Sequence, residues 1–330
     1  MPTNLPPEAL EAEQRYREAR TIEEKIARLE EFISAIPKHK GTDKLRADLR
    51  RRLSKLRSSA QSRKKVSRQL SPYHIDREGA GQVVVIGPAN VGKSALVDAL
   101  TNAAPEVSPA PYTTWQPTPG MMPVYDIQVQ LIDTPPLTRE YVEPEFLDLI
   151  RRADLVLLMV DLLTDPIEQL EDTVAVLLEN RIVPQHLKER YANQDQRRPT
   201  FVPLLVLVNK NDDETTDEIY EIFLGLLEDE WPLIPISVAT GRNLDRLKQA
   251  VFEHLGVIRV YSKAPGKPPD LDVPFVLKKG STVEEFAGKV HQDFLRNLKA
   301  ARVWGSVPFD GQMVPRDYVL QDGDVVELRT

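Results

Sequence analysis

Three kinds of hydrophobic pattern follow one another along the chain. In the first stretch Ile22, Ile26, Leu29, Ile33 and Ile36 recur at helical spacing. Thr21 with Glu24 reads as a capping box at the start of that helix. Pro37 and Gly41 break the pattern, and Thr42 caps a second helix carrying Leu45, Leu49, Leu53 and Leu56. From about Gly81 to Gly256, short apolar runs alternate with amphipathic ones. The runs predict strands at Val83–Ile86, Ile127–Ile132, Leu155–Val160, Leu204–Val208 and Leu233–Ile236. The amphipathic stretches predict helices at Ser94–Thr101, Pro144–Arg152, Ile167–Glu179, Thr216–Leu227 and Leu244–Leu255. The polar stretch Pro184–Thr200 reads as an inserted loop. After the proline- and glycine-rich run Ala264–Asp270, which reads as a linker, strands are expected at Val273–Leu277, near Ala301–Trp304 and at Asp324–Leu328. One helix, capped by Ser281 and Glu284, lies among them.

Strand alternating with helix means an α/β fold whose parallel-type sheet is covered on both faces. The expected organisation is a basic helical hairpin over residues 1–79, an α/β domain over 80–256 and a small α+β module over 257–330. A chain of 330 residues, 41% hydrophobic, is long enough for this. It has no cysteine, so disulfide and thiolate chemistry are excluded. The start MPTNLPPEAL has neither the basic nor the apolar segment of a signal peptide, and no apolar run spans a bilayer, so a cytoplasmic location is expected.

Charge adds a partner to this picture. Residues 38–68 hold thirteen Lys and Arg against two Asp, an excess of +11 that leaves −18 on the rest of a chain of net charge −7. Such a basic arm on an acidic protein suits a phosphate backbone. A membrane surface is the weaker alternative, because the helix has no aromatic anchoring face. The five histidines show no metal-ligand spacing and read as surface or packing residues, while Trp304 and Phe309 read as core.

The candidate chemistry begins where Val83–Ile86 ends. Gly87-Pro88-Ala89-Asn90-Val91-Gly92-Lys93-Ser94, with Ala95 after it, is a GxxxxGKS loop between a strand and a helix. Its glycines let successive N–H groups face phosphate oxygens, and the helix N-terminus adds a favourable dipole. Lys93 reaches the β- and γ-phosphates, and Ser94 is placed to ligate magnesium. Asn209-Lys210-Asn211-Asp212 closes strand Leu204–Val208. The Asp212 carboxylate can accept from both guanine N–H groups, a donor pair adenine lacks. Lys210 can lie along the base, and Asn209 can tie the loop together. Ser237-Val238-Ala239 can cap the base with backbone N–H groups. Asp133 is placed to support a magnesium-bound water, and a hydroxyl from Thr113 or Thr114 to complete the metal shell. Taken singly these last three segments are ordinary loop residues; their weight comes from the chain order.

Together these residues resemble the translation-factor-related GTPases. PYTTWQPTPG at Pro111–Gly120 looks like the Obg and developmentally regulated GTP-binding (DRG) branch, whose switch carries an FTT-type motif. VPFVLKKGSTVEEFAGKVH, ARVWGSVPFDG and YVLQDGDVVEL resemble the TGS domain of the DRG proteins, a ubiquitin-like β-grasp module. The resemblance covers roughly Gln82 to Thr330. It implies a Ras-like G domain that binds GTP and GDP with Mg2+, hydrolyses GTP, and works around the ribosome or structured RNA through segment 38–68 and the TGS domain, with a protein cofactor or activator.

Three departures bear on mechanism. The DxxG motif reads Asp133-Thr134-Pro135-Pro136, and proline has no N–H to meet a γ-phosphate. Either the signal through this loop is weakened or a neighbouring amide takes over. Leu137 stands where relatives such as Ras place the water-orienting glutamine, so hydrolysis is expected to be slow. Asn90 matches the P-loop asparagine of potassium-stimulated relatives, which implies K+ beside the phosphates; the alternative is a tolerant loop residue. Eight of the 27 prolines lie between Pro105 and Pro136 and stiffen that stretch. The rival function is a nucleotide-stabilised RNA-binding adaptor with negligible turnover.

Overall fold

The computed structural model describes residues 12, 22–36, 49, 53, 71–101, 116–139, 142–191 and 199–329. They fall into two units divided between Ser71 and Pro72. In the first, helix α1 (Ile22–Ala35) forms on the expected period. Its stripe Leu29, Phe32, Ile33 and Ile36 is buried together with Ala12 and Leu49, and Leu53 packs against it. Leu49 and Leu53 thus pack with the first helix. Thr21, Pro37, Gly41 and the rest of segment 38–68 lie outside the described residues.

The second unit opens with β1 (Gln82–Ile86), whose five residues are all buried. Helix α2 (Lys93–Leu100), β2 (Thr118–Val124) and β3 (Ile127–Asp133) follow. Then come α3 (Pro144–Arg152), β4 (Leu155–Asp161) and α4 (Pro166–Glu179). A short ribbon of β5 (Ile182–Pro184) and β6 (Thr200–Val202) leads to β7 (Leu204–Asn209). Between the ribbon strands, α5 (Lys188–Tyr191) replaces part of the expected loop Pro184–Thr200. Last come α6 (Glu214–Leu226), β8 (Leu233–Pro235) and α7 (Leu244–Leu255).

The main sheet has the order β2-β3-β1-β4-β7-β8. All pairs but one are parallel, as near-continuous Val, Ile and Leu runs dictate for strands covered on both faces. Strand β2 was not expected: it pairs antiparallel with β3 and makes the sheet mixed. Its sequence TPGMMPV holds two prolines, which an edge strand tolerates because one side of its ladder is open. Alternation along β1 divides the core. Val84 and Ile86 face α3 and α4 with Ile150 and Leu177, while Val83 and Val85 face α2 and α7 with Leu96 and Leu247.

Helix α7 ends on Gly256 in the left-handed region, and β9 (Val257–Lys263) starts at the next residue. The run Ala264–Asp270 is therefore no interdomain linker but the connection from β9 to β10 (Pro269–Lys278) within one sheet. Proline and glycine mark a turn there, and a turn within a sheet has the composition of a linker. Helices α8 (Val283–Val290) and α9 (Gln292–Asn297) and strands β11 (Ala300–Trp304), β12 (Gln312–Val314) and β13 (Asp324–Arg329) complete a mixed sheet of order β10-β9-β13-β11-β12. α8 covers one face through Val283, Phe286 and Ala287, a β-grasp arrangement. The capping box sits one residue later than expected: Thr282 accepts from the Glu285 N–H and Glu285 accepts from the Thr282 N–H. Serine and threonine in tandem both satisfy the pattern, and only the backbone chooses between them. Phe309, expected in the core, is 75% exposed in the β11–β12 loop; Trp304 is half-buried beneath the Lys263 ammonium, 4.8 Å from its ring.

Candidate functional site

The carboxyl ends of β1, β3, β4, β7 and β8 lie along one edge of the main sheet, where parallel strands deliver their loops. Residues 87–95 leave β1 there. Gly87 has φ 141° and its missing Cβ would meet the Met159 carbonyl oxygen at 2.3 Å. Gly92 has φ 101°, and a Cβ on it would stand 2.7 Å from Asn209 Nδ2. Both positions therefore need glycine for conformation and for space. Asn90 also has positive φ, 64°, which asparagine tolerates better than most residues. Ala89, Asn90, Gly92, Lys93, Ser94, Ala95 and Pro136 line a cavity of about 430 Å³. That volume lies within the usual range of ligand sites.

Lys93 is buried, and its ammonium donates to the carbonyls of Gly87 at 3.1 Å and Pro88 at 2.5 Å. Burial pulls its pKa down to about 8 against the opposing attraction of Asp133. At the end of β3 burial pushes the Asp133 carboxyl above its ordinary value, although the Ser94 hydroxyl and Lys93 favour its charged form. Ser94 Oγ donates to Asp133 Oδ2 at 2.6 Å. Asp133 Oδ1 is buried with no hydrogen-bond partner among the described residues. A serine hydroxyl and a carboxylate oxygen with unused acceptor capacity fit a hard divalent cation such as magnesium. Thr113 and Thr114 lie outside the described residues.

The loop after Asp133 is committed elsewhere. Thr134 Oγ1 donates to the Val85 carbonyl at 2.6 Å. Pro135 and Pro136 have no N–H. The Leu137 N–H donates to the Gly87 carbonyl at 3.1 Å. The Leu137 side chain is buried in the core with Ile86, Ile132 and Phe146, so it does not face the cavity at all.

On the other side of the edge, Asn209 joins three loops. Its Nδ2 donates to the Val91 carbonyl at 2.9 Å, and its Oδ1 accepts from the Val238 N–H at 3.2 Å. Asp212 is exposed, and its Oδ1 accepts from the Ser237 hydroxyl at 2.5 Å. The Ser237 hydroxyl in turn accepts from the Thr240 N–H at 3.0 Å, which shapes the Ser237-Val238-Ala239 turn. Lys210, with φ 68°, sends its ammonium to Asp161 Oδ2 at 2.5 Å.

Two residues of this region were not singled out from sequence. Asp161 is buried at the end of β4 and orients Lys210. Burial works against its charge, but hydrogen bonds led by Lys210 outweigh it and hold the carboxyl below its ordinary value. The signal available was an acid closing an apolar strand, as at Asp133. Arg242 donates to Asn211 Oδ1 at 2.8 Å and to Asp217 Oδ2 at 2.8 Å, bracing the 209–212 loop; no local pattern marks it. Among the described residues no group of three or more His, Asp or Glu could hold a metal alone.

Both parts of the second unit have counterparts among known proteins. Residues 82–210 match the family described as 50S ribosome-binding GTPase, and residues 258–330 match the TGS domain. An uncharacterized GTP-binding protein of Methanocaldococcus jannaschii is 32% identical over 93% of this chain and 92% of its own. Developmentally-regulated G-protein 1 of Arabidopsis thaliana is 26% identical over 93% of this chain and 91% of its own. The structure of the Schizosaccharomyces pombe YchF GTPase superimposes with a TM-score of 0.54 at 16% identity, covering 77% of this chain and 99% of that one. That last likeness concerns the fold alone.

Proposed function

Because the chain belongs to the family of GTP-binding proteins that join a GTPase domain to a TGS domain, we propose that it is a slow guanine-nucleotide switch of the DRG branch, acting on the ribosome or structured RNA. In this reading residues 80–256 handle the nucleotide, residues 257–330 form the TGS domain and residues 1–79 the basic helical arm. The observation that carries it is the Asn209 bridge, which fixes the phosphate loop and the base loop to each other. The amides of Gly87 to Ala95 receive the phosphates and Lys93 neutralises them. Asp212 selects guanine, with Lys210 and the Ser237-Val238-Ala239 turn flanking the base. Ser94 and Asp133, with Thr113 or Thr114, would hold Mg2+, which supplies further neutralisation of phosphate charge when bound. Asn90 lines the phosphate cavity, in keeping with K+ stimulation. The excess of +11 over residues 38–68 and the ribosome-binding description of the matched family support the RNA partner.

A second reading is favoured by one specific arrangement. Pro135 and Pro136 have no N–H, the Leu137 amide is spent on the Gly87 carbonyl, and the Leu137 side chain lies in the core. A loop so arranged neither senses a γ-phosphate nor orients a water, as befits an adaptor with negligible turnover. Calorimetry with GTP, GDP and ATP tests the pocket; ATP held as firmly as GTP would overturn both readings. Phosphate release in K+ and in Na+, with and without ribosomes, separates them. The switch predicts slow release, faster in K+ and accelerated by ribosomes; no release under any condition leaves the adaptor. The variant Pro136→Gly restores one N–H at the cavity. It is expected to raise the preference for GTP over GDP about tenfold, the worth of one charge-assisted hydrogen bond.

A further inference from the structure

Helices α4 and α6 enclose a groove of about 400 Å³. Its floor is Leu162 and Phe223, both part of the core. Its outer wall is a ridge on α6, where Ile219, Ile222 and Leu226 stand at i, i+3 and i+7. Ile222 is 64% and Leu226 61% exposed. Leu163, on the approach to α4, is also exposed. A helix that faces solvent ordinarily turns polar residues outward, and α6 does so everywhere except along this line. An apolar ridge of this kind, rimmed by polar residues, marks an interaction surface.

The rim says what the occupant is. Asp165, Glu168 and Glu171 line the groove, and α4 and α6 together hold eight Asp and Glu and no Lys or Arg. A phosphate backbone is repelled by such a rim. An isologous contact with a second copy would bring two acidic rims together. Apolar side chains flanked by cations satisfy both the ridge and the rim, and the i, i+3, i+7 spacing is the one a helix presents to another helix.

We propose that the α4–α6 groove docks a basic amphipathic helix of a partner protein. The groove shares no lining residue with the phosphate cavity, and the proposal does not depend on how that cavity is read. The probe is a fluorescent synthetic helix of about 18 residues, about 27 Å long, with leucines along one face and lysines beside them. A control has the same leucines and glutamates in place of the lysines. Titrated with the full chain, the lysine helix is expected to bind saturably, and the glutamate helix at least about tenfold more weakly. The variant Ile222→Ser/Leu226→Ser is expected to lose at least about tenfold for the lysine helix with unchanged GDP affinity. The variant Glu168→Gln/Glu171→Gln keeps the ridge and is expected to narrow the gap between the two peptides. No binding of the lysine helix, equal affinity for both peptides, or indifference to the variants overturns the proposal. So does displacement of the lysine helix by RNA bound in the same groove, or self-association in sedimentation velocity that Ile222→Ser/Leu226→Ser abolishes.

Discussion

At Asn209 one carboxamide donates to Val91, accepts from Val238 and lies under Gly92, so three loops share one side chain. Truncation to alanine leaves the buried Val91 carbonyl and the half-buried Val238 N–H without partners. Leaving such groups unpaired costs about 1–3 kcal/mol each. Asn209→Ala is therefore expected to weaken GDP binding at least about tenfold while also lowering the urea midpoint of unfolding. Fluorescent-nucleotide titration and urea denaturation measure the two effects; unchanged GDP affinity would contradict the bridge. From sequence, Asn209 stood out as part of a strand-end motif, and its tying role could be expected. Its partners could not, because Val91 and Val238 are apolar residues lending only backbone atoms, which no residue pattern advertises. Leu137 teaches the converse. Position in the motif placed it over the attacking water, but an apolar side chain gains by burial, and the core took it.

At the scale of elements, the β2–β3 hairpin was only half expected. Strand β3 was expected and β2 was not, since two prolines argue against a strand unless it lies at an edge. The far end of this hairpin is gripped by the β-grasp module. The Arg259 guanidinium donates to Asp126 at 2.8 Å in the hairpin turn and to Asp322 at 2.7 Å, and lies 4.8 Å from the Tyr125 ring. The Tyr261 hydroxyl donates to Asp126 as well. One end of the hairpin therefore carries Asp133 and the other is held by the second sheet. Arg259→Ala removes the bond to both carboxylates and the cover over Tyr125, and is expected to lower stability by about 1–3 kcal/mol. Arg259→Lys keeps a charge without the planar fork and should fall between the two. Urea unfolding ranks the three proteins, and a lysine variant as stable as the parent would argue that charge alone matters.

For the whole molecule, the same junction makes cohesion depend on pH. Burial raises the pKa of Asp126, but Tyr261 and Arg259 outweigh it; at Asp322, Arg259 likewise overcomes burial. Both carboxyls are held below their ordinary value, so the native state binds fewer protons than the unfolded one at mildly acid pH. Their contribution is complete above the ordinary carboxylate pKa of about 4 and is lost as pH falls through the depressed values. The stability difference between the parent and Asp126→Asn/Asp322→Asn is expected to be full at neutral pH and to shrink only in acid; a constant difference in urea titrations would refute the linkage. Neither acid stood out in the chain, because 196 positions separate Asp126 from Asp322. Sequence by itself determined the type and order of the five parallel-sheet strands and their main helices, the glycine-rich and Asn-Lys-Asn-Asp segments at strand ends, and the two-part α/β and β-grasp plan. These follow from local periodicity, glycine conformation and donor–acceptor chemistry, which act over a few residues. Tertiary structure alone decided which edge gathers the motifs, that Ala264–Asp270 is a turn within a sheet, that Phe309 faces outward, and that Arg259 clasps two carboxylates. Those outcomes depend on burial and pairing between residues far apart in the chain, where a single sequence carries no distance.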